Sequence, residues 1–468
     1  MLTWIFEVDW DADGVFERDE APNLFSFHFT RGKQEVIGQD GRFGRYQVGR
    51  GTALLRNLDG TYDPWNTTSP IYPNFMAGKR FRIQVSDGTT TWSVVTGRIQ
   101  RIDYASERAV RLDLEDDWAV LQKEAHIPVQ RNIYAGSAMN MVLDHVGWPG
   151  GRDISAGVDV KKVWWCAGKA GIALQDLAEA EFGVVAVRAD GTFWFRSRHD
   201  SYPTVANVTT TDILHGFRLP LPWETIRTVA QVRAYQPEDV SGMIYEHTSA
   251  LQVQGNSTES VWITPQDVYM EAITGVDVTA NEKEDGSGAD MSAYVSAVAT
   301  LIGARRVKVE VTNTASGPVW ITSFRINGSG VKMGAYVERE AVNNTGLGLY
   351  GERVLLVDNF WLQDALVAKD FADHFAFWYG EPTPERAFLR VRMKANPALQ
   401  FGVDIGDVVD IDMGDFSGRY RVMWIAHRWA DRTGQVVETE WLLDPRFDFT
   451  DEYWFFPTKM GVSSRFGF

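Results

Sequence analysis

The sequence predicts a mainly β, multi-domain protein with α+β insertions: two β-barrel modules, an α+β module and a β-sandwich-like segment. Three observations carry this prediction. The chain has 468 residues, more than one hydrophobic core serves, so about two to four domains are expected. Short runs alternating apolar with polar residues, separated by Gly and Asp-Gly turns, recur along most of it. Helical spacing is confined to a few segments.

Residues 1–118 read as the first barrel. Leu2 to Asp9 (LTWIFEVD) and Phe25 to Phe29 (FSFHF) read as strands. So do Phe81 to Ser86 (FRIQVS), Thr91 to Val95 (TWSVV), Arg98 to Tyr104 (RIQRIDY) and Ala109 to Leu114 (AVRLDL). Strands this short, closely spaced by turns at Gly41, Gly44, Asp59-Gly60 and Asp87-Gly88, favour a barrel or sandwich over a parallel α/β sheet.

Between the first two strands lies a complete calcium-loop pattern, DWDADGVFERDE. Asp9, Asp11 and Asp13 alternate, Gly14 permits the sharp turn, Val15 stands at the seventh position and Glu20 closes the twelfth. Calcium takes six to eight hard oxygens on a flexible scaffold, and in such loops the seventh position gives a backbone carbonyl. The flanks are strands rather than helices, so the loop belongs to a β-hairpin and not to a helical EF-hand. The alternative reading of these residues is an acidic Asp-Gly turn that needs no metal. Calcium is the one cofactor the sequence suggests.

Residues 119–203 form the α+β module. Met139 to Val146 reads as a short helix. Lys169 to Phe182 reads as a longer one, with Ala170, Ala173, Leu174, Leu177, Ala178 and Phe182 on one face and Gly183 as a left-handed cap. Val184 to Arg188 and Phe193 to Arg198 then form a hairpin through Asp190-Gly191. Residues 204–345 are β-rich, expected partly to return to the first barrel and partly to make the sandwich-like segment. Arg306 to Thr312 (RVKVEVT) alternates cleanly, and acidic Glu282 to Ser292 reads as an exposed loop.

In residues 346–446 one helix precedes a second barrel. Trp361, Ala365, Ala368, Ala372 and Phe375 share its face. Val403 to Met413, Tyr420 to Trp429 and Val436 to Leu443 read as a three-stranded meander. This echoes the first barrel: Gly78, two strands and a third closing in Leu112 and Leu114, against Gly406, two strands and a third closing in Leu442 and Leu443. The echo predicts a duplicated module. The tail 447–468 is densely aromatic, and Phe447, Phe449, Tyr453, Trp454, Phe455 and Phe456 read as an interface.

Net charge is −16, which argues against tight binding to a phosphate backbone. The single Cys166 lies in an apolar run and reads as buried filler. No apolar stretch approaches the roughly 18–20 residues of a membrane span, and no secretory signal opens the chain, so synthesis and folding in the cytoplasm are expected. GxSxG, GxxxxGK[ST], HExxH and paired CxxC motifs are absent and the eight histidines are scattered. The sequence gives no sign of an enzyme.

Several stretches, in order, resemble the hub proteins of long-tailed bacteriophages and phage-like particles. They are WIFEVDWDADGVF, VGRGTALLRNLDGTYDPWNTTSPIY, MAGKRFRIQV with TGRIQRIDY, WWCAGKAGIALQDLAEAEFGVVAVRADGTFWFRSR, VKVEVTNTASGPVWITSFRINGSGV and YGERVLLVDNFWLQDALVAKDFADHF. The resemblance implies a structural virion protein at the tail tip or baseplate: a homotrimer whose two barrels per chain make a pseudo-sixfold ring. That ring would mate with the hexameric tail tube or distal tail protein above and with tip or fibre proteins below, and DNA would pass its lumen unbound. The competing expectation is a receptor- or carbohydrate-binding protein of the tail tip.

Overall fold

The structure, a computed structural model, describes residues 1–33, 45–106, 108–218, 225–381, 388–414, 417–429 and 434–445. The aromatic tail from 447 lies outside the described residues. The fold is β-rich and multi-domain, as the periodicity predicts.

The first module orders its strands Leu24–Gly32, Gln47–Arg56, Ala109–Asp116, Thr91–Ser106, Arg80–Ser86, Thr3–Asp9. Alternation places Phe6 and Val8, Phe81, Ile83 and Val85, and Val110, Leu112 and Leu114 in one core. Each fully buried side chain of this kind contributes roughly 1.5–3 kcal/mol. The expected strands at 91–95 and 98–104 are one continuous strand. Gly97 does not turn the chain; a Cβ there would meet the Glu115 carbonyl at 1.9 Å, so glycine lets two strands approach closely.

The second module orders Ile213–Arg218, Leu389–Met393, Val437–Asp444, Ser417–Trp429, Val408–Asp412, Thr204–Thr209. Among the described residues this is the order of the first module, strand for strand. Its last strand runs parallel to its neighbour, whereas the corresponding Thr3–Asp9 runs antiparallel. The detail repeats too. Gly78 has φ +90° and Gly406 φ +89°. The Gly78 amide donates to the Ile99 carbonyl (2.7 Å) and the Ile99 amide returns to Lys79 (2.9 Å); Gly406, Val422 and Asp407 repeat this at 2.8 and 2.8 Å. One residue beyond, both strands slip register against the next strand, between Ile99 and Arg101 and between Val422 and Trp424.

Two groupings expected from the sequence are corrected. Thr204–Thr209 and Ile213–Arg218 return to the second barrel, not the first. Alternation marks a strand but not its partner. The helix grouped with the second barrel, Ala365–Gly380, packs instead on the sheet of Val229–His247, Val319–Val342 and Val354–Asp358. Asp364 caps its start through the Leu366 amide at 2.8 Å. Trp361 precedes this helix and packs edge-on against Trp165.

The long Val229–His247 and Val319–Val342 ribbon leads into a sandwich. There Tyr269–Asn281 extends one sheet, while Ser257–Ile263, Arg306–Asn313 and Val295–Ile302 form the other. Val307, Val309 and Val311 face Ile321, Phe324 and Ile326 in its core.

In the α+β module the short helix spans Ala135–Val146 and the longer one Ala170–Ala180. The latter ends on Phe182 (φ +48°), not Gly183, in the left-handed conformation. The Gly183 amide bonds back to Ala178 at 2.8 Å and that of Phe182 to Glu179 at 3.0 Å. Gly183 is required for proximity: a Cβ would lie 2.4 Å from the Arg196 carbonyl.

Candidate functional site: the joint between the barrels and the acidic loop

The two barrels are fused edge to edge. The strand Ser417–Trp429 borders Val408–Asp412 up to Arg421, then leaves it and pairs with the first module's Leu24–Gly32. Trp424 faces Gly32, Ile425 faces Arg31, Ala426 faces Thr30, His427 faces Phe29 and Arg428 faces His28. Lys33 donates its amide to the Met423 carbonyl at 2.8 Å. Gly32 makes the crossing possible: its φ is +101° and a Cβ would lie 2.3 Å from the Met423 oxygen.

Beneath the joint lies a buried ion network drawn from three parts of the chain. Arg31 of the first barrel, 4% exposed, donates to Asp404 at 2.5 Å. Asp404 also accepts the amides of Ala189 (2.7 Å) and Ile405 (2.6 Å). Arg188, from the α+β module, bonds Asp407 at 2.7 Å. Burial opposes the Asp404 charge, but Arg31, Arg188 and the two amides outweigh it and hold the carboxyl below its usual range. Asp407 goes the other way, its carboxyl raised chiefly by burial.

Two neighbours are pushed further. Burial raises the Asp116 carboxyl to about 7, against the Gly49 amide, the Tyr46 hydroxyl and Arg31. Burial, helped by Arg31, lowers His427 to about 3, and its Nδ1 lies 3.1 Å from the Thr439 hydroxyl. No sequence signal marked this network, because Arg31 and Asp404 meet only after the barrels join.

The acidic loop sits in the expected β-hairpin, with Glu7 facing Asp19 and Val8 facing Arg18. Asp9, Asp11 and Asp13 each bring a carboxylate oxygen within 4.8 Å of the others. The Asp9 Oδ2 accepts the Gly14 amide (3.1 Å), Asp11 that of Asp13 (3.4 Å) and Asp13 that of Val15 (2.8 Å). Gly14 has φ +92° in open space, so only backbone freedom requires it.

Glu20 is not brought to this cluster. It is fully buried, accepts from the Trp10 indole at 2.8 Å and from the Tyr62 hydroxyl, and forms an ion pair with Arg18 at 2.8 Å. The twelfth position of the pattern is thus a structural carboxylate. Val15 is exposed, and its amide is spent on Asp13.

Cys166 is buried and burial raises its thiol to about 11, so it is not poised as a thiolate. Among the described residues no helix is long and apolar enough to cross a membrane.

No protein-family model matches the chain, and no curated protein matches it. Solved structures do. The chain is similar to the 43 kDa tail protein of prophage MuSo2 from Shewanella oneidensis, with 9% identity and a TM-score of 0.51 over 96% of this chain and 99% of that one. It is also similar to the tail protein from Neisseria meningitidis MC58, with 9% identity and a TM-score of 0.50 over 95% and 98%. At such identity the likeness concerns the fold, and it runs from end to end. The chain has the fold of phage tail proteins, as the resemblance in its sequence implied.

Proposed function

We propose that this chain is the structural hub of a phage tail, a homotrimer whose six barrel modules ring the tail axis. One observation supports this reading: the join between the two barrels of a chain can be repeated between chains. Val422 and Ile99 are equivalent residues, so the strand edge Trp424–Arg428, which holds Leu24–Gly32, corresponds to Arg101–Ala105. Among the described residues that edge of the first barrel has no strand beside it. The strand equivalent to Leu24–Gly32 is Ile213–Arg218, at the outer edge of the second barrel. Head-to-tail contacts of this kind generate rings when the rotation closes.

The register follows. Leu114 faces Gly51 and Leu443 faces Leu389, which makes His28 equivalent to Arg218 through Thr52 and Arg390. The contact Arg428–His28 therefore becomes Ala105 against Arg218 of a second copy. In this reading the ring meets the tail tube or distal tail protein on one face and tip or fibre proteins on the other. Its negative charge lets DNA pass without being held. The role is structural, at the tail tip of the virion, and involves no catalysis.

The test is a paired substitution, Ala105→Cys with Arg218→Cys, oxidised in the full-length protein. A covalent ladder ending at trimer, absent from each single variant, is expected. A protein monomeric at micromolar concentration and placed at the tail periphery would overturn the hub reading in favour of a receptor binder.

A further inference from the structure

We propose that the turn from Asp9 to Gly14 is a calcium site built from the carboxylates of Asp9, Asp11 and Asp13, without the twelfth-position glutamate. This goes beyond the hub reading and does not depend on it. Two independent observations carry it. The first is the convergence of three carboxylate oxygens within 4.8 Å, a repulsive arrangement unless a cation lies among them.

The second is Asp9 itself. The residue is 4% exposed, and its Oδ1 has no hydrogen-bond partner among the described residues. Its other oxygen is already spent on the Gly14 amide. A buried carboxylate oxygen without a donor is strongly disfavoured, and it belongs to the one carboxylate of the three that water does not reach freely. A metal ion shared with Asp11 and Asp13 would satisfy it.

The chemistry of the donors selects the ion. Only hard oxygens converge, with no imidazole or thiolate in the group, which excludes a zinc-type site. Asp11 and Asp13 are exposed, so waters complete the shell, and the short polar loop suits the flexible geometry of calcium better than the strict octahedron of magnesium. Glu20, which would have given two further oxygens, is held by Trp10, Arg18 and Tyr62. With fewer protein ligands the affinity falls at the weak end, Kd about 0.1–1 mM. The ion would pin the end of the Thr3–Asp9 strand to the turn that follows it.

Terbium luminescence excited through tryptophan reads this site directly, because Trp10 is adjacent to Asp9. Chelator-treated full-length protein should give a saturable terbium signal that calcium displaces and equimolar magnesium does not. Asp11→Ala and Asp13→Ala, both in an exposed turn, should each weaken terbium and calcium binding by about tenfold or more and abolish the calcium-dependent rise in Tm. A wild-type signal that calcium fails to displace would overturn the proposal. So would unchanged binding in both variants.

Discussion

Arg31 and Asp404 lie 373 positions apart in the chain and 2.5 Å apart in the fold. Their contact ties the first barrel to the second directly below the shared strand edge. A buried pair of this kind is strongly destabilising to break from one side, because the remaining charge stays in the interior.

Arg31→Met should therefore cost about 3–5 kcal/mol, read as a fall in the urea midpoint. The double variant Arg31→Met with Asp404→Leu should recover much of the loss, since it strands no charge. A single variant as stable as the parent would show that solvent reaches Asp404.

Asp116 and His427 set opposing dependences on pH. The folded Asp116 carboxyl, at about 7, keeps its proton where the unfolded one, near 3.8, has lost it. Its contribution is full below about 4 and drains away as pH rises to about 7, by at most ~1.4 kcal/mol per unit. Folded His427, at about 3, stays neutral where the unfolded imidazole charges, so its contribution is present above about 6.5 and lost as pH falls towards 3. Relative to the parent, Asp116→Asn should remove a fall in stability as pH rises from about 4 to 7, and His427→Gln should remove a loss as pH falls from about 6.5 towards 3. Urea titrations at fixed ionic strength across this range decide it.

The paired glycines allow a comparison that tests the duplication. Gly78→Ala adds a methyl group to open space and should cost only left-handed strain, about 1–2 kcal/mol. Gly406→Ala carries the same strain and also drives its Cβ to 2.5 Å from the Trp194 ring, so it should cost about 1–3 kcal/mol more. Equal losses in thermal unfolding would contradict the packing at Trp194.

Glu20→Gln weakens the charged contacts to Trp10, Arg18 and Tyr62. A loss of about 1.5–3 kcal/mol is expected, the same in calcium and in chelator, because Glu20 does not face the three aspartates. A loss seen only in calcium would return Glu20 to the metal site.

Much of this fold was legible because alternation and turn chemistry are local. TWIFEVD, FRIQV and RVKVEVT bury every second residue, and the Gly78 and Gly406 echo proved to be a repeat of hydrogen bonds. Partner choice was not legible. The strand TVANVT carries no mark of pairing with VVDID, about 200 residues later. A glycine also misled where it serves contact rather than turning, as at Gly183. In the acidic loop the spacing of Asp9, Asp11 and Asp13 carried over into geometry. Glu20 did not, because an indole, a guanidinium and a phenol bind it first.

The strand that fuses the barrels has a consequence for synthesis. A ribosome makes Leu24–Gly32 long before Ser417–Trp429, so the first barrel waits with a bare edge while nearly four hundred residues are added. Bare edges invite pairing with the wrong chain. The delay also means that the joint closes only once the second barrel's strands exist, so the last contact of the first barrel's sheet is made from the far end of the chain.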